Sequence, residues 1–248
     1  MRDPVKSRGY DNTRRQAQVR RTRADVVTAA RDLFVQRGYA ATTIEAIGEA
    51  AATPLATVYR LFGCKRNILS AVLDTSFVGD DEPIAMHERP AVRAAFAETD
   101  PRRLLTGFAQ ICRELLDRSA PVQRVLRGAA TVDPEAAELL ALVNSQRLEG
   151  QSRIAHALAV RGALAEDVTE DSAADTIYAL MAPEMHHILT VERAWSADRY
   201  ERWLAHALCA LLLPPLATEV TVCDEAQPPG IGAAGFTVSD RDGPPPTC

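Results

Sequence analysis

TTIEAIGEAAATPLATVYRLF, residues 42–62, is the stretch on which the reading of this chain turns. Thr42-Thr43-Ile44-Glu45 matches a capping box, in which a threonine hydroxyl and a carboxylate satisfy the free N–H groups of a helix start. It opens a short helix with Ile44, Ile47 and Ala51 on its apolar face. Thr53-Pro54 follows closely, an N-cap and then a proline at the first helical position, where a missing N–H costs nothing. That second helix runs to about Leu61, with Leu55 at its tip and Val58 and Phe62 turned inward, and Gly63 ends it. Two short helices across a tight turn form a helix-turn-helix, whose second helix is slim enough to enter a major groove about 12 Å wide. Ala56, Thr57 and Arg60 then face outward. Arginine donates two hydrogen bonds to guanine, and threonine or small apolar side chains meet a thymine methyl.

Working outward, Val26, Val27, Ala30, Leu33 and Phe34 share one helical face and predict a first helix over about 23–37. Gly38 suits the left-handed position after it, with Tyr39 packing back on the last turn. Downstream, Lys65 leads a fourth helix whose stripe is Ile68, Leu69, Val72, Leu73 and Phe77. Asp100-Pro101 and Asp133-Pro134 are cap-plus-proline helix starts. Helices are expected near 88–98, 101–118, 121–131 and 134–160, then over 171–193 with a kink at Pro183, then over 197–213 after a Ser196 cap. The fold class is therefore all-α. A helix-turn-helix domain over 22–77 precedes a larger helical domain over 78–216. A disordered basic arm is expected at 1–21 and a disordered, proline- and glycine-rich tail at 217–248.

The charge is unevenly shared. The 248 residues carry a formal net charge of −5, yet residues 1–77 hold 13 Lys+Arg against 7 Asp+Glu, and the remainder 15 against 26. A cationic end on an acidic body suits a head that binds a polyanion. No apolar run reaches the length of a membrane span, and the arginine-rich start lacks a secretory core, so a cytoplasmic protein is expected. Cys64, Cys112, Cys209, Cys223 and Cys248 are scattered without a C-x-x-C, which predicts neither a disulfide framework nor a zinc site.

Residues 23–77 resemble the DNA-binding domain of the TetR family of transcriptional regulators. The resemblance rests on Ala30, Leu33-Phe34, Gly38-Tyr39, Thr42-Thr43-Ile44, Ile47, Ala50-Ala51, Thr57-Val58-Tyr59, Phe62, Lys65 and Leu69 at unbroken spacing. It implies phosphate contacts from Thr43, Tyr59 and Lys65, and base-reading or groove-facing positions at Leu55, Ala56, Thr57 and Arg60. It also implies a double-stranded operator as partner, a homodimer formed by the helices 171–193 and 197–213, and an unidentified small-molecule effector. Three departures stand out. Ala52 replaces the usual turn glycine, Pro54 the usual serine, and Cys64 a common polar cap, where an inert thiol is expected rather than a redox sensor.

In the larger domain, Phe108, Cys112, Leu115, Met181 and Met185 form stripes that could wall a ligand pocket or simply be core. His186-His187 point about 100° apart on a helix, so one packed and one exposed histidine is expected rather than a metal pair. Trp195, Tyr200 and Trp203 either pin the last hairpin or join a subunit interface. The chain lacks G-x-S-x-G, a phosphate-cradling glycine loop and H-E-x-x-H, so no catalytic residues, metal or cofactor are expected. The alternative is a helical small-molecule-binding protein or enzyme without a DNA-binding role.

Overall fold

The structure, a computed structural model, describes residues 8–79 and 88–215. Its helices are α1 (Arg8–Ala41), α2 (Ile44–Ala50), α3 (Leu55–Phe62), α4 (Lys65–Val78), α5 (Pro90–Ala97), α6 (Pro101–Ala130), α7 (Pro134–Val160), α8 (Glu170–Leu180), α9 (Pro183–His187) and α10 (Ala197–Leu212), with a π-helical turn at Ile188–Glu192 before α10. The described residues contain no strand. The expected tail over 217–248 and the first residues of the expected arm lie outside the described residues.

The first helix starts earlier than the apolar pattern predicts. Residues 8–21, expected as part of a disordered arm, continue α1 instead. Arginine and glutamine are good helix formers, and a helix nucleated by a buried stripe extends at little cost through residues free of proline. At the other end Gly38 leaves the helical region at φ 80°, and Tyr39 packs on Phe34 with ring centroids 5.7 Å apart.

Two further expectations are corrected. The separate helices 101–118 and 121–131 are one helix, α6, with Pro121 inside it. Proline costs an interior turn about 3 kcal/mol, but Ala120 and Val122 beside it are buried, and burial holds the axis together. The single helix 171–193 is instead broken at Met181-Ala182. Ala182 precedes Pro183, which pushes it to an extended ψ of 134° and starts α9 afresh. Asp100, Asp133 and Ser196 cap their helices as the sequence predicts, accepting from Arg102 N, Glu135 N and Arg199 N.

Two cores result. The first joins Val26, Ala30, Phe34, Ile47, Val58, Phe62, Ile68, Leu69 and Val72 of α1–α4 to Val122, Leu126, Ala136 and Val143 of α6 and α7. The packing of the head thus continues past residue 77 into the body. The second joins Leu104, Leu105, Leu116, Ile154, Leu158, Ile177, Tyr200, Leu204 and Leu208 from α6, α7, α8 and α10. Ile177, Leu204 and Leu208 are therefore spent inside one chain. Leu211 of α10 is exposed instead, at 53%. Between α6, α9 and α10 runs a polar seam: Arg113 pairs with Glu201 at 3.0 Å and Asp117 at 3.5 Å, and Asp117 meets His186 Nε2 at 2.9 Å.

Candidate nucleic-acid interface

The helix-turn-helix is held by a few small residues and hydroxyls. Thr42, fully buried, donates to the Gly38 carbonyl at 2.8 Å and to the Leu33 carbonyl at 3.3 Å, tying α2 to the end of α1. Thr43, one residue on, is the N-cap of α2, its Oγ1 accepting from Ala46 N at 3.1 Å. The expected capping box of Thr42 with Glu45 therefore does not form, because Thr42 faces inward. A hydroxyl that accepts from a backbone amide keeps its own proton, so exposed Thr43 can still donate to a phosphate.

The turn is made at Ala52, with φ 47°. That left-handed conformation costs a residue with a Cβ about 1–2 kcal/mol. The helices approach closely because Gly48 has no side chain: a Cβ there would lie 3.0 Å from the Thr53 carbonyl oxygen. Pro54, rather than Thr53, is the N-cap of α3, and Thr53 Oγ1 donates back to the Ala51 carbonyl at 3.1 Å. The expectation of a Thr53 cap with Pro54 at the first helical position is thus shifted by one residue, since the threonine hydroxyl is used in the turn.

On α3, Val58 and Phe62 are buried, while Leu55, Ala56, Tyr59 and Arg60 are exposed and Thr57 is half-buried. Arg60 forms no ion pair among the described residues. Tyr59 is 45% exposed, with its ring on the solvent side. Arg23 from α1 lies over the Phe62 ring, 4.5 Å from its centroid, and its Nη1 donates to the Leu61 carbonyl at 3.4 Å.

Lys65 has a second duty that its sequence position does not disclose. Its Nζ donates to the Tyr39 carbonyl at 2.9 Å and the Thr42 carbonyl at 3.0 Å, and sits 4.2 Å from the Tyr39 ring centroid. Two of its three protons are used, leaving one for a phosphate. Burial lowers its pKa, against a smaller opposing effect of Asp133. The Tyr39 phenol is pushed up to about 12, first by burial and then by the negative charge of Asp133. Cys64, at the N-cap of α4, is exposed and makes no side-chain cap.

In the body, Phe108, Cys112, Leu115 and Met181 lie on the wall of one cavity of about 370 Å³, and Met185 does not. Met185 sits in the short α9, beyond the break at Ala182, which turns it away from the stripe that holds Met181. Phe77 of α4 and Arg147 and Gln151 of α7 share the wall. The sequence reading misses these two polar residues, although their i, i+4 spacing within an otherwise apolar α7 stripe of Val143, Ile154 and Leu158 is legible. His186 is buried against Asp117 and, edge-on, the Tyr200 ring, while half-buried His187 faces Arg124 Nη1 at 2.9 Å. Trp195 meets Trp203 edge-on at 6.1 Å, which pins the last hairpin.

A basic-led helix pair whose second helix exposes Tyr59 and Arg60 defines a helix-turn-helix DNA-binding regulator. Residues 26–72 match the family model of bacterial regulatory proteins, tetR family, so the segment that carries α2 and α3 is similar to that family's DNA-binding domain. No curated protein matches the chain in sequence. Solved structures share the fold over most of its length. NalD, the secondary repressor of the MexAB-OprM multidrug efflux pump in Pseudomonas aeruginosa, is 20% identical with a TM-score of 0.59, over 79% of this chain and 98% of that one. SmeT in complex with triclosan is 16% identical with a TM-score of 0.61, over 84% and 99%. A transcriptional regulator from Saccharomonospora viridis in complex with choline is 19% identical with a TM-score of 0.60, over 78% and 98%. No helix among the described residues is long and apolar enough to cross a membrane.

Proposed function

We propose that this regulator is a ligand-responsive repressor, acting in the cytoplasm as a homodimer whose two α3 helices enter successive major grooves of a pseudopalindromic operator. The observation that carries the reading is the head surface, where Leu55, Ala56, Tyr59 and Arg60 stand exposed on one short helix beside the exposed Thr43. Thr43, Tyr59 and the remaining proton of Lys65 serve phosphates and hold the register. Leu55, Ala56, Thr57 and Arg60 serve the bases, which alone carry sequence.

The ligand response rests on the cavity. Phe77 stands on its wall near the end of α4, and Lys65 begins the same helix. A molecule that displaces Phe77 moves a helix whose other end ties α1 to α2. It changes operator affinity only by its differential affinity for the two states. Likeness to NalD, itself a repressor, favours repression over activation. A two-fold dimer matches a two-fold operator. Helices α8 to α10 are its proposed seat, through exposed Leu211 of α10 and exposed Ile188 and Val191 of the π turn.

Sequencing the DNA fragments captured by the purified protein, then titrating the strongest fragment at rising salt, tests this reading. Pseudopalindromic half-sites and an affinity that falls steeply with salt are expected. Capture without sequence preference, or salt-independent binding, would overturn it.

A further inference from the structure

The cavity wall is not uniformly apolar, and its polar part is chemically specific. Arg147 and Gln151 lie one turn apart on the same face of α7, both on the wall. Arg147 Nη2 donates to the Tyr178 and Met181 carbonyls, each at a long 3.4 Å, and its guanidinium stacks 4.3 Å from the Tyr178 ring centroid. No carboxylate pairs with it among the described residues. Arg153, the other arginine on the wall, is already paired with Glu149 at 2.9 Å. A guanidinium carries five N–H donors in a planar fork, so two long bonds from one nitrogen and a side-chain interaction with Tyr178 leave part of that fork uncommitted. Burial is the leading influence on Arg147 and lowers its pKa, with Arg127 adding to it and Tyr178 and the more distant Glu184 opposing it.

Gln151 is 4% exposed, and its Nε2 has only the Met181 sulfur as acceptor, at 3.6 Å. Its Oε1 is buried without a hydrogen-bond partner. The thioether has no proton to give, so the nitrogen end of the amide is the end that faces it. Leaving a buried amide oxygen unpartnered costs about 1–3 kcal/mol, and nothing on that side fixes the amide in place. Both side chains converge on Met181, at the break between α8 and α9.

We infer that the effector is an apolar organic acid, whose carboxylate takes the Arg147 fork and the Gln151 amide while its apolar frame lies against Phe108, Leu115 and Phe77. This rests on the ligand-responsive reading above and names the ligand class. A carboxylate makes the direct ion pair that Glu184, itself paired with Arg127, does not make with Arg147, and replaces a sulfur acceptor by an oxygen at Gln151. Two parallel N–H bonds from a guanidinium are the geometry a carboxylate fits best. A neutral alcohol leaves the arginine uncompensated, and an ammonium sets like charge against it.

Calorimetric titration of the full chain with three probes on one frame tests the inference: 2-naphthoate, 2-naphthalenemethanol and 2-naphthylmethylammonium. The carboxylate is expected to bind about tenfold or more tighter than the alcohol, with the ammonium weakest. In Arg147→Met the carboxylate should fall to the affinity of the alcohol, which itself stays unchanged, and Arg147→Lys should recover some of the preference. The three-probe comparison on the unaltered protein stands even if a variant fails to fold. Equal affinities, an ammonium preference, or an undiminished carboxylate preference in Arg147→Met would overturn the assignment while leaving a ligand-binding cavity intact. Absence of binding by all three probes would overturn both the assignment and the ligand-responsive reading.

Discussion

The Lys65 ammonium lies 2.9 Å from the carbonyl oxygen of Tyr39 and 4.2 Å from the centroid of its ring, so one side chain closes the end of α1 and opens α4. The lysine that resembles a phosphate contact is also a clasp inside the head. Lys65→Met keeps most of the apolar stem and removes the charge, and should lower stability by about 1–3 kcal/mol, because the Thr42 carbonyl loses its lysine partner and the Tyr39 carbonyl keeps only the Thr42 N–H. It should also weaken binding to every duplex alike, reducing the salt slope by about one unit. Urea unfolding and salt-dependent titration separate the two effects; loss of only one would assign Lys65 a single duty.

The buried phenol of Tyr39 predicts an alkaline transition of its own. The folded Tyr39 phenol is raised to about 12 from an ordinary 10.0, chiefly by burial. A raised folded pKa means that the native state holds the proton more tightly than the unfolded chain. The corresponding stability is complete below pH 10 and is lost as pH climbs from there to about 12. The urea midpoint of the unaltered protein should therefore fall relative to that of Tyr39→Phe across this window. Parallel curves would show that the phenol is not held neutral by the fold.

Ala52 invites a gain of stability. Its φ of 47° is a conformation that glycine adopts without strain. Ala52→Gly should raise unfolding free energy by about 0.5–1 kcal/mol, the relieved strain less the greater entropy of glycine in the unfolded chain. Operator affinity should not fall. A destabilised variant would mean that the alanine methyl packs usefully at the turn.

Readout should divide between Arg60 and Thr43. Arg60→Ala should cost about 1–3 kcal/mol mainly on the preferred site if the arginine reads a base. Thr43→Val should weaken all duplexes together, and should cost about 1 kcal/mol of stability through the lost cap. Competition titrations with permuted sites decide the matter. An unchanged preference ranking in Arg60→Ala would make that arginine a phosphate contact.

Two leucines on α10 have opposite fates. Leu208 is fully buried within the chain, so Leu208→Glu should unfold the body rather than merely separate the subunits. Leu211 is 53% exposed, and Leu211→Glu should leave the chain folded and shift it toward monomer if α10 seats the dimer. Sedimentation and thermal melts of both variants check this pair. A folded Leu211→Glu dimer with undiminished operator affinity would place the interface elsewhere.

What the linear chain determined by itself is local. The stripe of Val26, Ala30 and Phe34, the left-handed glycine at Gly38, and the Asp100 and Asp133 caps act within a few residues, so spacing alone discloses them. The α3 surface was legible for the same reason, because burial of Val58 and Phe62 dictates what their helical neighbours expose. What only the tertiary structure decided are competitions between distant groups. Pro121 remains inside α6 because packing outweighs its local cost, and Thr42 turns inward to the carbonyls of α1, which passes the cap of α2 to Thr43. Ile177, Leu204 and Leu208 look like surplus apolar surface until α6 and α7 are laid against them. Arg147 and Gln151 read as ordinary polar residues of a long helix until the fold sets both on the wall of an apolar cavity. Each of these outcomes depends on packing between separate helices, and periodicity along one helix carries no information about it.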